Sequence, residues 1–301
     1  MLYVYNVSIS RLEGVLRSLA PMSVMRLAAA LAVCATLLAG CDAPWKSFEA
    51  KTLNPGFTSA ATPADLGLKF ERLAIASGDR KLDAFLVRAE PSCPRTAAVL
   101  IFHGRGETAA DWVGVQRRLH DGCISSLVFD YSGHGRSSPP GSIANLNADA
   151  VAAYAAFMAN FPATERRCLL SHSMGGGPML FAATRPGAAP DCVVAASPFS
   201  SLKAMAVAGG MPKFLAAVSS DPWDNAQAAA RLQAPMLWLH SETDATIPIA
   251  SGRAVFDAKQ GGKGAVVIRG FDHNAIYKLM PAEIWTPVTT FILQGALPPP
   301  H

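Results

Sequence analysis

The chain has 301 residues, 50% of them hydrophobic and 16% charged, with 26 basic against 22 acidic side chains. So few charges exclude disorder driven by self-repulsion, and the length suffices to bury one large core, so a single domain is expected. A net charge of +4 without any long Lys/Arg run offers no clustered cations to a phosphate backbone, and nucleic acid is excluded as the expected partner.

The first predicted element follows Arg26: an apolar run of fourteen residues, Leu27 to Gly40, that ends at Cys41. A membrane-spanning helix needs about 20 apolar residues, whereas the core of a signal peptide needs roughly 7 to 15 after a basic start. Residues 1–40 therefore read as an export signal, with an uncleaved anchor helix or a buried N-terminal helix as the alternative. Met1 to Pro21 do not look like the basic start of a signal, and translation from Met22 or Met25 would put Arg26 where one is needed. Leu38, Ala39, Gly40 and Cys41 resemble the lipobox of bacterial lipoproteins, whose cysteine is acylated and becomes the mature N-terminus. That resemblance implies a protein held by lipid at the bacterial cell envelope, facing the periplasm or the exterior. Which membrane stays open; Asp42 resembles an inner-membrane retention signal whose rule varies with the organism. Residues 41–65 carry scattered Pro, Thr, Ser and Ala without a period and read as lipid anchor and tether. Residues 66–301 are then the folded domain.

From Leu66 onward, apolar runs alternate with helical stretches. LKFERLAIAS and KLDAFLVRA read as an antiparallel pair; AAVLIFHG, SSLVFDYSG, CLLSHS, CVVAAS, MLWLHS and AVVIRGF read as buried parallel strands. Helical patterns fall at 110–120, 145–161, 174–184, near 201–217, at 250–260 and at 281–293. Continuous apolar strands alternating with helices predict an α/β fold, a mostly parallel eight-stranded sheet covered on both faces.

In CLLSHSMGGGP an apolar strand runs through Ser171 and His172 into Ser173, Met174 and Gly175, and a helical pattern follows. It resembles the nucleophile elbow of α/β-hydrolases, Gly-x-Ser-x-Gly, where a tight strand-to-helix turn demands small neighbours around the serine. Ser171 stands in place of the first Gly, which makes it a decoy nucleophile; only Ser173 has the downstream Gly at plus two. A serine hydroxyl needs a base oriented by a third group, and the chain order of this family puts both partners after the serine. Asp244 stands in an Asp-x-x-x-Pro setting after the MLWLHS strand, and His273 in an Asp-His-Asn setting after the last. The resemblance implies Ser173 attacking, His273 shuttling the proton and Asp244 fixing the imidazole, with Glu242 and Asp272 as rival acids. His103-Gly104-Arg105-Gly106 resembles the family's oxyanion motif, implying a hole made by the backbone N–H groups of Arg105 and Met174. His103 is read as organising that loop, His134 as shaping the loop after the fourth strand, and His120, His172 and His240 as packing or variable positions. No His-x-x-x-His or Cys-x-x-Cys spacing occurs, so no metal and no cofactor is expected.

With Cys34 in the signal and Cys41 acylated, four cysteines remain, each at or near a strand start. The α/β-hydrolase strand order implies Cys93 paired with Cys123 and Cys168 with Cys192; Cys93 with Cys168 is the rival, and small buried thiols are the alternative to any disulfide. Between the sixth and seventh strands, Ser197 to Asn225 is too short for a full cap domain. Its Met205, Val207, Met211, Phe214, Leu215 and Trp223 either line an acyl pocket or pack as a helix. The whole resembles minimally capped esterases and acyl-protein thioesterases. Hydrolysis of a carboxylic ester or thioester of a small-molecule or acylated substrate is expected, with acyl transfer or amide cleavage as one alternative and a non-catalytic envelope binding lipoprotein as another.

Overall fold

The computed structural model describes residues 43–55, 59–94, 96–163, 165–279 and 281–298, so the expected export signal and Cys41 lie outside the described residues. The chain divides into Met1–Trp45 and Lys46–His301. Of the first unit only residues 43–45, the start of helix α1 (Ala43–Thr52), are described.

The second unit is built on eight strands: β1 (Glu71–Ser77), β2 (Arg80–Val87), β3 (Ala97–Phe102), β4 (Ile124–Phe129), β5 (Arg166–His172), β6 (Cys192–Ala196), β7 (Met236–Ser241) and β8 (Lys263–Ile268). They form one sheet in the order β1-β2-β4-β3-β5-β6-β7-β8. β1 pairs antiparallel with β2 and β2 with β4, and every later pairing is parallel. Every residue of β3, β4, β6 and β7 is buried, because helices cover both faces, and that explains why β3 and β6 read as unbroken apolar runs rather than alternating ones. On one face Val99, Ile101 and Val194 pack with helix α2 (Val113–Asp121) and helix α10 (Ala282–Gln294) through Trp112, Val115, Trp285 and Phe291. Burying a side chain such as Phe291 contributes about 1.5–3 kcal/mol. Helix α3 (Ile143–Asn160) packs against β1 and β3, α4 (Gly176–Ala183) against β3 and β5, and α8 (Ile249–Ala258) against β7. This is the α/β-hydrolase fold.

Three departures from the sequence reading have physical causes. The stretch 41–65 is not a tether throughout, and the compact unit expected from residue 66 begins at Lys46. Leu53 is fully buried, Glu49 accepts from the Ile143 N–H at 2.8 Å, and Asn54 exchanges two hydrogen bonds with the backbone of Gly141. These partners lie some ninety residues away along the chain, so no local pattern could reveal the order. The helix expected near 201–217 is two, α5 (Leu202–Ala208) and α6 (Lys213–Val218), broken at Gly209 and Gly210, where Gly210 has φ +101°. Helices α7 (Asn225–Arg231) and α9 (Ala275–Lys278) were not expected and are too short to show a period.

Among the described residues, two disulfides join Cys93 to Cys123, with Cα atoms 5.7 Å apart, and Cys168 to Cys192, 4.6 Å apart. Cys168 and Cys192 are register partners on adjacent parallel strands, while Cys168 faces Val99 on its other side, which disfavours the rival Cys93–Cys168 pairing. The bridges close loops with sequence separations of 30 and 24, so each restricts the unfolded chain by roughly 3 kcal/mol. Thermal unfolding with a phosphine reductant should therefore show a lower Tm than without it; an unchanged Tm would contradict that contribution.

Candidate active site

Strand β5 delivers Ser173 at its C-terminal end. Ser171 and His172 are still in the strand and fully buried, and Ser173 opens a 3-10 turn, Ser173–Gly175, that leads into α4. Ser173 itself has φ +51°, in the left-handed region that a residue with a Cβ occupies only under strain. A Cβ on Gly175 would collide with the carbonyl oxygens of Phe102 and His103, and one on Gly177 with the Trp223 ring. The need for glycine therefore falls after the serine, and Ser171 is accommodated before it. The Ser171 hydroxyl is buried away from the cavity, whereas Ser173, Arg105 and Met174 line one cavity of about 220 Å³. Its other walls are Phe48, Phe199, Leu202, Met205, Thr246 and Ile247. Of the cap residues considered from the sequence, Met205 faces this cavity; Trp223 is buried and donates to Asn147 at 2.8 Å, and Phe214 and Leu215 are exposed.

The loops after β7 and β8 bring Asp244 to His273, Oδ2 to Nδ1, at 2.6 Å. The Ser241 and Thr243 hydroxyls both donate to the Phe271 carbonyl, at 2.5 and 2.8 Å, and so tie the two loops together. Asp244 Oδ1 accepts from the backbone N–H groups of Thr246 and Ile247 at 2.9 and 2.8 Å. Burial alone would raise this carboxyl, but the His273 hydrogen bond and those two N–H groups outweigh it and hold the pKa at about 2. An ionised Asp244 accepts the Nδ1 proton and leaves the lone pair of the ring on Nε2. The rival acids point elsewhere: Glu242 lies 3.5 Å from Arg269, and Asp272 accepts from the Asn274 N–H.

Sequence reasoning missed Glu107 and took His172 for a variable position. Both are buried, and the Glu107 carboxylate lies 2.8 Å from His172 Nδ1. The other Glu107 oxygen accepts from the Gly104 N–H at 2.7 Å and from the Trp112 indole at 2.9 Å. His172 Nε2 lies 2.9 Å from the backbone carbonyl of His273. An acceptor at each ring nitrogen favours the doubly protonated ring, in which both nitrogens donate. Burial opposes that charge, but Glu107 outweighs it and raises the His172 pKa; burial likewise opposes the Glu107 charge, and His172 holds its pKa at about 2. The pair ties the Gly104–Arg105 loop, the residue before Ser173 and the His273 loop into one unit. A polar loop residue such as Glu107 carries no periodic signal; the only sequence hint was an acidic residue close behind His103-Gly104.

His103 is fully buried with Nδ1 2.9 Å from the Gly104 carbonyl, consistent with a role in the shape of that loop. His240 Nε2 lies 2.8 Å from the Ile247 carbonyl.

A family model described as serine aminopeptidase, S33, matches residues 94–228, a span that holds Arg105, Glu107, His172 and Ser173 and stops before Asp244 and His273. Alpha/beta hydrolase domain-containing protein 17B of Xenopus laevis is 28% identical over 190 residues, 61% of this chain and 63% of its own length. Protein ABHD12B of Homo sapiens is 27% identical over 205 residues, 60% of this chain and 56% of that protein. The chain thus spans less than two-thirds of each of these relatives. Among solved structures, an esterase of Pyrococcus furiosus superposes with a TM-score of 0.63 at 18% identity, covering 80% of this chain and 97% of the esterase. Est1E of Butyrivibrio proteoclasticus, solved with ferulic acid bound, gives 0.58 at 16% identity, covering 72% and 96%. The chain carries the α/β-hydrolase fold, and in sequence and structure it is similar to hydrolases of that superfamily.

Proposed function

We propose that the protein is a serine hydrolase that cleaves a carboxylic ester or thioester through an acyl-Ser173 intermediate. The observations that carry this reading are the hydrogen bond of an ionised Asp244 to His273 at 2.6 Å, the His172 ring 2.9 Å from the His273 carbonyl, which brings that loop to the residue before Ser173, and Ser173 in a strained left-handed turn that opens on the same cavity as Arg105 and Met174. In the first step the Ser173 hydroxyl adds to the carbonyl carbon as His273 Nε2 takes its proton. The oxyanion lies against the Arg105 and Met174 N–H groups at the start of α4, where the helix dipole adds to their effect. Collapse breaks the bond to the alcohol or thiol, which leaves with the proton from His273. Water then repeats the sequence on the acyl-serine, releasing the acid and restoring Ser173. Asp244 stays ionised throughout and stabilises the imidazolium.

The walls supplied by Phe48, Phe199, Leu202, Met205 and Ile247 suit an apolar acyl group. A volume of about 220 Å³ is below the roughly 300–1,000 Å³ common for ligand pockets, which favours a short one. With p-nitrophenyl esters, kcat/KM is expected to be higher for acetate and butyrate than for laurate. A folded protein that hydrolyses none of them would favour the binding-lipoprotein alternative. The envelope location and acylation of Cys41 belong to the same proposal and are supported by the lipobox-like sequence; intact mass of the protein extracted from membranes tests them.

A further inference from the structure

Strand β7 carries Met236, Leu237, Trp238 and Leu239 before His240, and all of them are buried. Side chains two apart on a strand share a face, so His240 lies beside Trp238, and Gly252 of α8 packs against both rings. An apolar side chain would fill this place without a polar group to satisfy. Burying a polar ring costs free energy unless it is hydrogen-bonded, and the fully buried His240 is only half satisfied. Its Nε2 lies 2.8 Å from the Ile247 carbonyl oxygen, while Nδ1 has no hydrogen-bond partner among the described residues. A carbonyl only accepts, so Nε2 carries the hydrogen. Burial lowers the pKa of the ring against the opposing pull of the Ile247 hydrogen bond and of Asp244, and protonating Nδ1 would bury an N–H without an acceptor. His240 is therefore neutral, with its hydrogen on Nε2.

That hydrogen reaches the turn that presents Asp244. Ile247 accepts from His240 through its carbonyl and donates its N–H to Asp244 Oδ1 at 2.8 Å, and it is also a wall of the Ser173 cavity. His240 Nε2 lies 3.5 Å from Asp244 Oδ2, the oxygen that meets His273 Nδ1 at 2.6 Å. We propose that His240 is a positioning residue. Its Nε2–H ties the Ile247 carbonyl to the end of β7 and so holds the Asp244 carboxylate against His273, while Gly252 leaves the space that the ring occupies. This role rests on the reading of Ser173, His273 and Asp244 as the reacting set, and His240 acts in it through Asp244 alone.

The test compares three variants of the full chain. His240→Phe keeps a buried ring and removes the donor, and His240→Gln offers an N–H from its terminal amide in place of Nε2. Gly252→Ala leaves His240 in place but sets a Cβ against its Nδ1 and Cε1, which moves the ring. Rates with p-nitrophenyl butyrate are expressed per folded molecule, the folded fraction coming from calorimetry. His240→Phe is expected to lower kcat by about 10²-fold, the cost of a displacement near 1 Å, with KM little changed. His240→Gln should recover most of that loss, and Gly252→Ala should fall between the two. The His273 Nδ1 proton reads the bond to Asp244 without substrate. It is followed by nuclear magnetic resonance of protein with isotope-labelled histidines and assigned by its absence after His273→Ala. This signal should broaden or vanish in His240→Phe and return in His240→Gln. Wild-type kcat in His240→Phe, or an equal loss in His240→Phe and His240→Gln, overturns the proposal. So does a fall in Tm and folded yield with the rate per folded molecule and the His273 proton unchanged, the mark of a residue that only packs. If the wild type turns over no ester, the acyl-Ser173 reading fails by itself. The His273 proton then decides alone: lost in His240→Phe and regained in His240→Gln, it supports the hold on Asp244, and unchanged in His240→Phe it overturns it.

Discussion

Ser173→Ala is expected to lower kcat/KM for p-nitrophenyl butyrate by about 10⁴- to 10⁶-fold and to leave Tm close to that of the wild type. The first effect follows from removing the elbow hydroxyl that lines the cavity beside Arg105 and Met174, since Ser171, the other serine of the segment, is buried in β5. The second follows because alanine keeps the Cβ that is strained at φ +51°. Glycine has no such strain, and Ser173→Gly should be as inactive as alanine yet more stable by about 1 kcal/mol. Steady-state kinetics and calorimetry on the two variants separate the chemical role of the side chain from the backbone strain that presents it. Asp244→Asn should cost about 10⁴-fold in kcat by disturbing the His273 tautomer, while Glu242→Gln and Asp272→Asn should change it little. If Ser173→Ala retained wild-type turnover, the assignment of the nucleophile would be wrong.

Glu107→Gln carries the second largest effect. It removes one charge of a buried pair and leaves the His172 imidazolium uncompensated, a change that typically costs about 3–5 kcal/mol. For a domain of this size Tm should fall by on the order of 10 °C. The cost should depend on pH. The folded pKa of Glu107 is depressed from 4.5 to about 2, so its contribution is present above pH 4.5 and is lost as pH falls toward 2. His172 is raised from 6.5, so its contribution is present below pH 6.5 and is lost as pH rises through the higher folded value. The Tm difference between wild type and Glu107→Gln should therefore be widest between about pH 4.5 and 6.5 and should narrow on both sides. A difference that did not vary with pH would mean that the pair is held by packing rather than charge. Activity should fall as well, in kcat more than in KM, because the Gly104–Arg105 loop and the His273 carbonyl lose a shared anchor, and a displacement near 1 Å can cost about 10²-fold.

The sheet was legible because each buried strand is an apolar run too short for a helix, and the β3-β4 and β5-β6 pairings that hold the disulfides followed from the strand order implied by the resemblance. The candidates Ser173, Asp244 and His273 stand out in the sequence as residues at strand ends with small or turn-forming neighbours, and of them Asp244 and His273 are hydrogen-bonded to each other. Glu107 and His172 were not, because what joins them is a contact across 65 positions of sequence between two residues that look ordinary locally. The ordering of residues 46–55 was hidden for the same reason. Glu49, Leu53 and Asn54 look like linker residues until their partners at Gly141 and Ile143 are known. In the cap, composition suggested pocket walls but could not tell the Met205 that faces the cavity from the Trp223 that packs beneath and the Phe214 that faces outward.

The most direct test of an acyl-Ser173 mechanism is to treat the folded protein with a fluorophosphonate, digest it, and locate the adduct by mass spectrometry of the peptide that holds Ser171 and Ser173. The account predicts a single stoichiometric adduct on Ser173, absent after Ser173→Ala and slowed by His273→Ala. An adduct on Ser171, or no adduct on folded wild-type protein, would contradict it.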